Sequence, residues 1–240
     1  MTRAELEYFV KRTLRRWGWR VERDTATGWQ PGRAYWDAAY LRRWGVRPGT
    51  VIDVGVGNGT PHLYDAFPDA YLVLVEPLAE FGPAIAATLG KRPGIHVAAA
   101  VGAEEAQREV RVEPRFAERS SFYARHELEL TGDPATIRRV PVTTLDRILG
   151  GRQLPTPFGL KIDAEGAELE VVRGAAETLR TTDFVIAEVS VLDRFEGGYT
   201  FAEFVAAMAD AGFAARDILG IGRADSSEVT FVDLVFRRTG

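Results

Sequence analysis

The pattern of apolar and polar positions changes character at residue 50. Before it, residues 3–16 place apolar side chains at helical spacing, and a second helix is predicted over residues 32–44. After it, short β-branched runs alternate with amphipathic stretches, which predicts a parallel sheet with helices on both faces. We therefore expect a small helical N-terminal cap over residues 1–48 and an α/β domain over residues 49–240.

Seven strands are predicted in the α/β domain, the last of them antiparallel to its neighbours. They cover residues 51–54, 71–75, 95–101, 158–163, 184–189, 214–219 and 229–237. The predicted helices of the domain cover residues 61–67, 81–89, 145–149, 165–179 and 201–211. An insertion at about residues 103–143 interrupts the alternation, and within it residues 107–113 and 138–143 are predicted to pair as antiparallel strands.

A glycine-rich turn follows the first predicted strand. Gly55, Gly57 and Gly59 are spaced G-x-G-x-G, and Asp53 stands at the exit of the strand. Glycine lets backbone N–H groups approach a ligand closely, and strand ends of this kind bind nucleotide-like ligands. The spacing departs from the G-x-G-x-x-G of dinucleotide-binding turns. A carboxylate at this place would repel a diphosphate, but it suits the ammonium and sulfonium charges of S-adenosylmethionine.

A second acid extends the predicted cofactor site. Glu76 ends the second predicted strand about twenty residues after the turn, where a carboxylate can accept hydrogen bonds from both ribose hydroxyls. This pair of signals resembles motifs I and II of the Rossmann-type methyltransferases. Two small residues after strand three could leave space beside the adenine. The predicted cofactor-binding residues are Asp53, Gly55, Gly57, Asn58, Gly59, Thr60, Glu76, Pro77, Ala99 and Ala100.

A second group of charged residues surrounds the end of the fourth predicted strand. Lys161 and Asp163 share one face of that strand because side chains alternate along it. A lysine in an apolar strand needs a charged partner or access to solvent, and Asp163 is the candidate partner. Glu165 and Glu168 are expected to lie close together in the first turn of the next helix, where acids complement the helix dipole. Glu170 is expected on a solvated face.

The same region carries a family resemblance. The string KIDAEGAELEVVRGA (161–175), preceded by VPVTTLDRIL (140–149), is similar to the signature of the FkbM family of S-adenosylmethionine-dependent methyltransferases. Comparable elements are the turn at 55–59, VEP (75–77), SSF (120–122) and DLVF (233–236). The glycine turn differs in detail from the family pattern, and Pro61-His62 is a departure.

The resemblance covers roughly residues 50–237 and implies a Rossmann-like class I methyltransferase fold. It also implies methyl transfer to oxygen, usually on a sugar or a polyketide-type secondary metabolite. Two alternatives remain. An NAD(P)-dependent reductase could use Glu76 in the same way, although a Tyr-x-x-x-Lys pair is absent. A non-catalytic protein could bind S-adenosylmethionine without transferring its methyl group.

A hydroxyl acceptor is a poor nucleophile at neutral pH, so a base or a metal ion would assist the reaction. In one version Asp163, Glu165 or Glu188 binds magnesium or calcium, since these ions prefer oxygen ligands. In the other, Asp163 or His126 takes the proton directly, with Lys161 beside it. We favour the metal-free version. His96 is expected in the core.

Composition limits the remaining possibilities. The 240 residues are 46% hydrophobic and 27% charged, with a net charge of −4 and no basic block, which argues against binding to nucleic acid or membrane. The absence of cysteine excludes thiolate chemistry and fits a cytoplasmic protein. All five tryptophans fall in the first 44 residues. They are expected to pack the cap onto the sheet, to cover a small-molecule substrate pocket, or to form a homodimer surface.

Overall fold

The computed structural model describes residues 37–113, 117–126, 136–223 and 228–239. The helix predicted over residues 3–16, the first part of the helix predicted over 32–44, and four of the five tryptophans lie outside these ranges. No helix within the described ranges has the length and apolar character needed to cross a membrane.

A seven-stranded sheet forms the centre of the protein. Its strands are β1 (Thr50–Val54), β2 (Tyr71–Val75), β3 (Gly94–Val97), β7 (Phe158–Ile162), β8 (Thr182–Ser190), β9 (Phe213–Arg223) and β10 (Val229–Arg238). The order across the sheet is β3-β2-β1-β7-β8-β10-β9. All pairs are parallel except those of β10, which is antiparallel to both β8 and β9. The predicted seven-stranded, mostly parallel sheet is confirmed.

Helices cover both faces of this sheet. On one face lie α1 (Ala38–Arg42), α2 (Pro61–Ala66) and α3 (Gly82–Leu89), and on the other lie α4 (Leu145–Leu149), α5 (Glu168–Arg173), α6 (Ala176–Arg180) and α7 (Phe201–Asp210). Strand β1 is buried along its whole length, as expected for a central parallel strand. Two apolar cores lie on the two faces: β1 contributes Ile52 and Val54 to one and Val51 to the other, whereas the apolar side chains of β7 enter only the first.

The insertion forms a second, three-stranded sheet. Strands β5 (Ala106–Val112) and β6 (Thr136–Thr143) pair antiparallel, which confirms the predicted antiparallel pair, and β4 (Ala100–Val101) adds a short parallel edge to β6. The single strand predicted over residues 95–101 is wrong. The chain leaves the main sheet after Val97 and enters the second sheet at Ala100, because residues 100–101 pair with β6 of the insertion.

The helix predicted over residues 165–179 is also wrong in its bounds. Glu165 and Gly166 have positive φ values of 46° and 101°, so the chain makes a left-handed turn before α5 begins at Glu168. A second break at Gly174 separates α5 from α6, because the backbone of Gly174 lies against the carbonyl of Gly102 and leaves no room for a Cβ.

The described end of the cap packs against the sheet. Trp44 lies edge-on to Phe184 of β8, with ring centroids 5.7 Å apart. The hydroxyl of Tyr40 donates a hydrogen bond to Asp217 on the edge strand β9. Trp44 is the one tryptophan within the described residues. Its contacts agree with the expectation that the tryptophans pack the N-terminal segment onto the sheet.

Candidate active site

The glycine-rich turn lies at the carboxyl end of β1 and joins it to α2. Gly55, Gly57 and Gly59 all have positive φ values, of 73°, 51° and 93°. A Cβ on Gly55 would lie 1.7 Å from the carbonyl oxygen of Asp163, so the turn is in direct contact with the end of β7. A Cβ on Gly57 would meet nothing within 4 Å, which leaves open space above this part of the turn. Asn58 is exposed beside it.

Asp53 lies beneath the turn with its side chain 0% exposed. Its Oδ2 accepts hydrogen bonds from the hydroxyls of Thr60, at 2.9 Å, and Tyr64, at 2.5 Å. Its Oδ1 is 3.4 Å from Nζ of Lys161. The carboxylate therefore ties β1 to both α2 and β7. Its predicted contact with the ammonium group of a ligand stays a prediction.

Glu76 connects the end of β2 to the same turn. Its Oε2 accepts a hydrogen bond from the N–H of Gly57, at 3.0 Å, and its Oε1 accepts one from the N–H of Leu78, at 2.9 Å. Burial raises the pKa of Glu76, and these two N–H groups oppose the rise. Pro77 follows the end of β2, and the buried residues Ala99 and Ala100 follow the end of β3. Both carboxylate oxygens of Glu76 therefore accept hydrogen bonds from the N–H groups of residues 57 and 78, and its predicted contact with a ribose stays a prediction.

Ionisable side chains form a row across four neighbouring strands on one face of the sheet. The register places Asp53 beside Lys161, and it places Glu188 directly opposite Asp233. Nζ of Lys161 is 3.3 Å from Oδ2 of Asp163, which confirms that these two residues face each other. Burial alone would lower the pKa of Lys161, but Asp53 and Asp163 raise it above its usual value. Lys161 is therefore a fixed cation between two carboxylates.

The turn after β7 carries Glu165 towards two arginines. Oε2 of Glu165 lies 2.7 Å from Nη2 of Arg125 and 3.2 Å from Nη2 of Arg194. Nη1 of Arg194 in turn lies 2.7 Å from Oε1 of Glu188. The predicted helical placement of Glu165 is wrong, because Glu165 lies in the left-handed turn before α5 and faces the arginines.

Three carboxylates in this group could surround a cation. Asp163, Glu165 and Glu188 each offer an oxygen, and these oxygens lie within 4.8 Å of one another. Oxygen donors at this spacing suit magnesium or calcium. Glu165 and Glu188 already make ion pairs with Arg125 and Arg194, so guanidinium groups supply much of the positive charge that a metal ion would bring.

The insertion closes over the turn through polar contacts. The hydroxyl of Ser121 donates a hydrogen bond of 2.5 Å to the carbonyl of Glu165. Arg108 of β5 makes an ion pair of 2.7 Å with Glu170, and the hydroxyl of Tyr123 donates a hydrogen bond to the same carboxylate. The prediction that Glu170 lies on a solvated face is therefore wrong, since its half-buried side chain anchors the insertion to α5.

The histidines occupy the periphery. Nε2 of His126 lies 3.4 Å from Asp193, which is 78% exposed, in the loop after β8. His96 is exposed on β3, an edge strand, with its ring near the carbonyl oxygen of Glu76. The expectation that His96 belongs to the core is wrong because one side of an edge strand lacks a neighbour. His62 is exposed in the first turn of α2.

Three residues of the site escape the sequence reasoning: Arg125, Arg194 and Asp233. The arginines stand alone in irregular segments and reach Glu165 only through the fold. Asp233 carries a recognisable signal, because it is a lone acid in the apolar strand Val229–Phe236. A charged side chain in an apolar strand needs a partner, so Asp233 is recognisable for the same reason as Lys161.

The stability of the protein should depend on the charge of Asp233. Burial, reinforced by the negative charge of Asp163, raises its pKa from 3.8 to about 6, against the opposing effect of Lys161 and Arg194. A carboxylic acid whose pKa is higher in the folded than in the unfolded protein destabilises the fold. The destabilisation develops as the pH rises from the unfolded-state pKa through the folded-state pKa. We expect the difference in the free energy of unfolding between Asp233→Asn and the wild type to be about 1–2 kcal/mol more favourable to the variant at pH 7 than at pH 4. Urea unfolding of both proteins at the two pH values measures this difference. The same difference at pH 4 and at pH 7 would contradict the expectation.

The order of the seven strands, the antiparallel β10 and the glycine turn after β1 define a Rossmann-like class I methyltransferase fold. The family described as Methyltransferase FkbM domain matches residues 53–215, which is more than half of the chain. The protein belongs to this family, and the resemblance stated from the sequence is confirmed. No curated protein is detectably similar to the chain.

A solved FkbM methyltransferase agrees on the fold. The FkbM methyltransferase of Methylobacillus flagellatus KT is 13% identical with a TM-score of 0.51, and the match covers 85% of this chain and 48% of that one. The chain thus spans about half the length of that protein. A methyltransferase of Burkholderia thailandensis, solved with 1,6-didemethyltoxoflavin and S-adenosylhomocysteine, is 15% identical with a TM-score of 0.46, covering 100% and 92% of the two chains. Magnesium protoporphyrin IX methyltransferase of Synechocystis PCC 6803, solved with S-adenosylmethionine, is 14% identical with a TM-score of 0.45, covering 84% and 76%.

Proposed function

We propose that this protein transfers a methyl group from S-adenosylmethionine to a hydroxyl group of a sugar or a secondary metabolite. One observation carries the proposal: the glycine turn after β1 is in direct contact with the acid-bearing turn after β7, through Gly55 and the carbonyl of Asp163. A ligand above the glycine turn and an acceptor beside the carboxylates would therefore share one crevice. Membership of a methyltransferase family and the G-x-G-x-G spacing favour S-adenosylmethionine over NAD(P).

The residues present fit this cofactor. Glu76 offers a carboxylate for ribose hydroxyls at the edge of the open space over Gly57. The glycine turn, with Asn58 and Thr60, would hold the amino-acid end, and Asp53 supports it from below. When bound, S-adenosylmethionine supplies an activated methyl group on a sulfonium. The protein then has to orient the acceptor, exclude water and accept a proton.

Asp163 is the proposed proton acceptor. Its carboxylate is 35% exposed, while Lys161 beneath it is only 13% exposed and holds a fixed positive charge 3.3 Å away. The acceptor hydroxyl would pass its proton to Asp163 as its oxygen bonds to the methyl carbon, and S-adenosylhomocysteine would leave. We favour this side chain over a metal ion that lowers the pKa of the acceptor hydroxyl, because Arg125 and Arg194 already neutralise Glu165 and Glu188. His126, beside Asp193, is the second candidate base.

Calorimetry and labelled transfer test the proposal together. We expect S-adenosylmethionine and S-adenosylhomocysteine to bind, and NADPH not to bind. The Glu76→Gln variant should lose at least tenfold in affinity because hydrogen bonds to a charged group contribute about 1.5–3 kcal/mol each. The matched control is Glu80→Gln, since Glu80 is exposed and pairs with Arg138.

Transfer itself is measured by incubating the protein with a polar metabolite extract and S-adenosylmethionine that carries a trideuterated methyl group. Products should gain the labelled methyl on oxygen, and added EDTA should leave the yield unchanged. Binding of the cofactor without any labelled product would point to a non-catalytic binding protein. Loss of transfer in EDTA, with cofactor binding intact, would favour the metal-assisted version.

A further inference from the structure

Glu168 is almost completely buried although it is the first residue of α5. Its side chain is 2% exposed, whereas an acid in a first helical turn usually stays at the surface. Its Oε1 accepts hydrogen bonds from the N–H groups of Ala164 and Gly166, both at 3.0 Å, and its Oε2 accepts from Gly166 at 3.1 Å. Tyr199 lies close to this carboxylate as well. Glu168 therefore faces back into the turn between β7 and α5.

This turn needs to be held in place. Glu165 has a φ of 46°, a conformation that costs a non-glycine residue on the order of 1 kcal/mol. Gly166, with a φ of 101°, lies so close to the ring of Phe195 that a Cβ would come within 2.9 Å of it. Without the carboxylate of Glu168, the N–H groups of Ala164 and Gly166 would lose their acceptor, and buried N–H groups without acceptors are costly.

The turn positions Asp163, the proposed proton acceptor, and the ion-paired Glu165. Asp163 precedes it and reaches Lys161, and Glu165 within it reaches Arg125 and Arg194. On its other side, the turn presents the carbonyl of Asp163 to Gly55 of the glycine turn. A shift of its backbone would therefore move the two carboxylates relative to any ligand above the glycines.

We infer that Glu168 is a positioning residue of the methyl-transfer site. By accepting hydrogen bonds from the N–H groups of residues 164 and 166, it fixes the positions of Asp163 and Glu165. The inference rests on the proposed function, because that function assigns the proton transfer to Asp163. Glu168 itself is behind the turn and acts only through it.

The role requires an acceptor oxygen and not a full negative charge. Burial raises the pKa of Glu168 to about 7, against the lowering effect of the hydrogen bonds that it accepts. A glutamine at this position would keep a carbonyl oxygen that can take the place of Oε1 and accept from both N–H groups. Glutamine should therefore preserve the turn, and alanine should release it.

The experiment compares Glu168→Ala, Glu168→Gln and Val171→Ala. Val171 is fully buried in the same helix, and its apolar side chain makes no hydrogen bond to the turn, so its variant reproduces a loss of stability alone. Backbone hydrogen exchange of residues 163–167, calorimetry with S-adenosylhomocysteine, and kcat and KM with the labelled-transfer acceptor are measured for each. If the alanine variant does not fold, Glu168→Asp replaces it, since its shorter side chain draws the carboxylate away from the N–H groups.

In Glu168→Ala, we expect the amide hydrogens of residues 163–167 to exchange at least tenfold faster than in the wild type. We expect kcat to fall at least 30-fold, while the affinity for S-adenosylhomocysteine stays within twofold of the wild-type value. Glu168→Gln should stay within threefold of the wild type in each quantity. Equal losses of kcat in Glu168→Ala and Val171→Ala, unchanged exchange in Glu168→Ala, or a glutamine variant as impaired as the alanine variant would each overturn the inference. Failure of the wild type to bind the cofactor or to transfer methyl would instead overturn the proposed function, and the exchange measurement would still decide the role of Glu168 in the turn.

Discussion

Asp163→Asn is expected to lower kcat for methyl transfer by at least 100-fold while leaving the affinity for S-adenosylmethionine within twofold. Asparagine has nearly the same shape, and the N–H of residue 163 would still donate to the carbonyl of Val54, so the turn should keep its place. What is lost is the carboxylate that accepts the proton, and removal of a general base typically costs about 10²–10⁴-fold. Steady-state kinetics with the labelled acceptor, combined with calorimetry, separates the two effects.

The control for this result is Asp193→Asn. Asp193 is exposed and lies beside His126, so its loss would impair a mechanism in which His126 is the base. An unchanged kcat in Asp193→Asn together with a large loss in Asp163→Asn supports the proposed assignment. The reverse pattern would transfer the role of base to His126.

Gly55→Ala is expected to destabilise the protein by roughly 3 kcal/mol or more and to abolish cofactor binding. The φ of 73° is unfavourable for alanine, and the new Cβ would lie 1.7 Å from the backbone oxygen of Asp163, an approach that no side-chain rotation can relieve. The end of β7 would have to move away from the end of β1. Urea unfolding measures the loss of stability, and calorimetry measures the loss of binding.

Gly57→Ala provides the matched comparison. Its φ of 51° is also positive, but its Cβ would meet nothing within 4 Å. Only backbone strain remains, on the order of 1 kcal/mol. If Gly57→Ala proved as destabilising as Gly55→Ala, contact with Asp163 would not be what fixes Gly55.

The sequence predicts the architecture well where local pattern and burial agree. The β-branched run at Val51–Val54 and the alternation of helices and strands indicated a buried parallel sheet, and the structure has one. The alternation of side chains along a strand was enough to place Lys161 and Asp163 on one face, because residues two apart in a regular strand point the same way. The antiparallel pair within the insertion followed from the same kind of pattern.

The errors arise where non-local contacts override local preference. Residues 165–179 have a helical composition, yet packing of Gly166 against Phe195 and of Gly174 against Gly102 divides the segment. Glu170 has the spacing of a surface residue, but Arg108 lies 62 positions away in sequence and covers it. The pairing of Arg125 and Arg194 with Glu165 depends on three separate segments meeting, so no local pattern records it.

The second sheet shares its apolar interior with one face of the main sheet. Its inward-facing valines belong to the same buried cluster as Leu63, Leu72 and Phe184; they are Val110, Val112, Val140 and Val142. The ion pair between Arg108 and Glu170 adds a polar link between the second sheet and α5. Because the two sheets bury one another's apolar side chains, the insertion should melt together with the main sheet in a single cooperative transition.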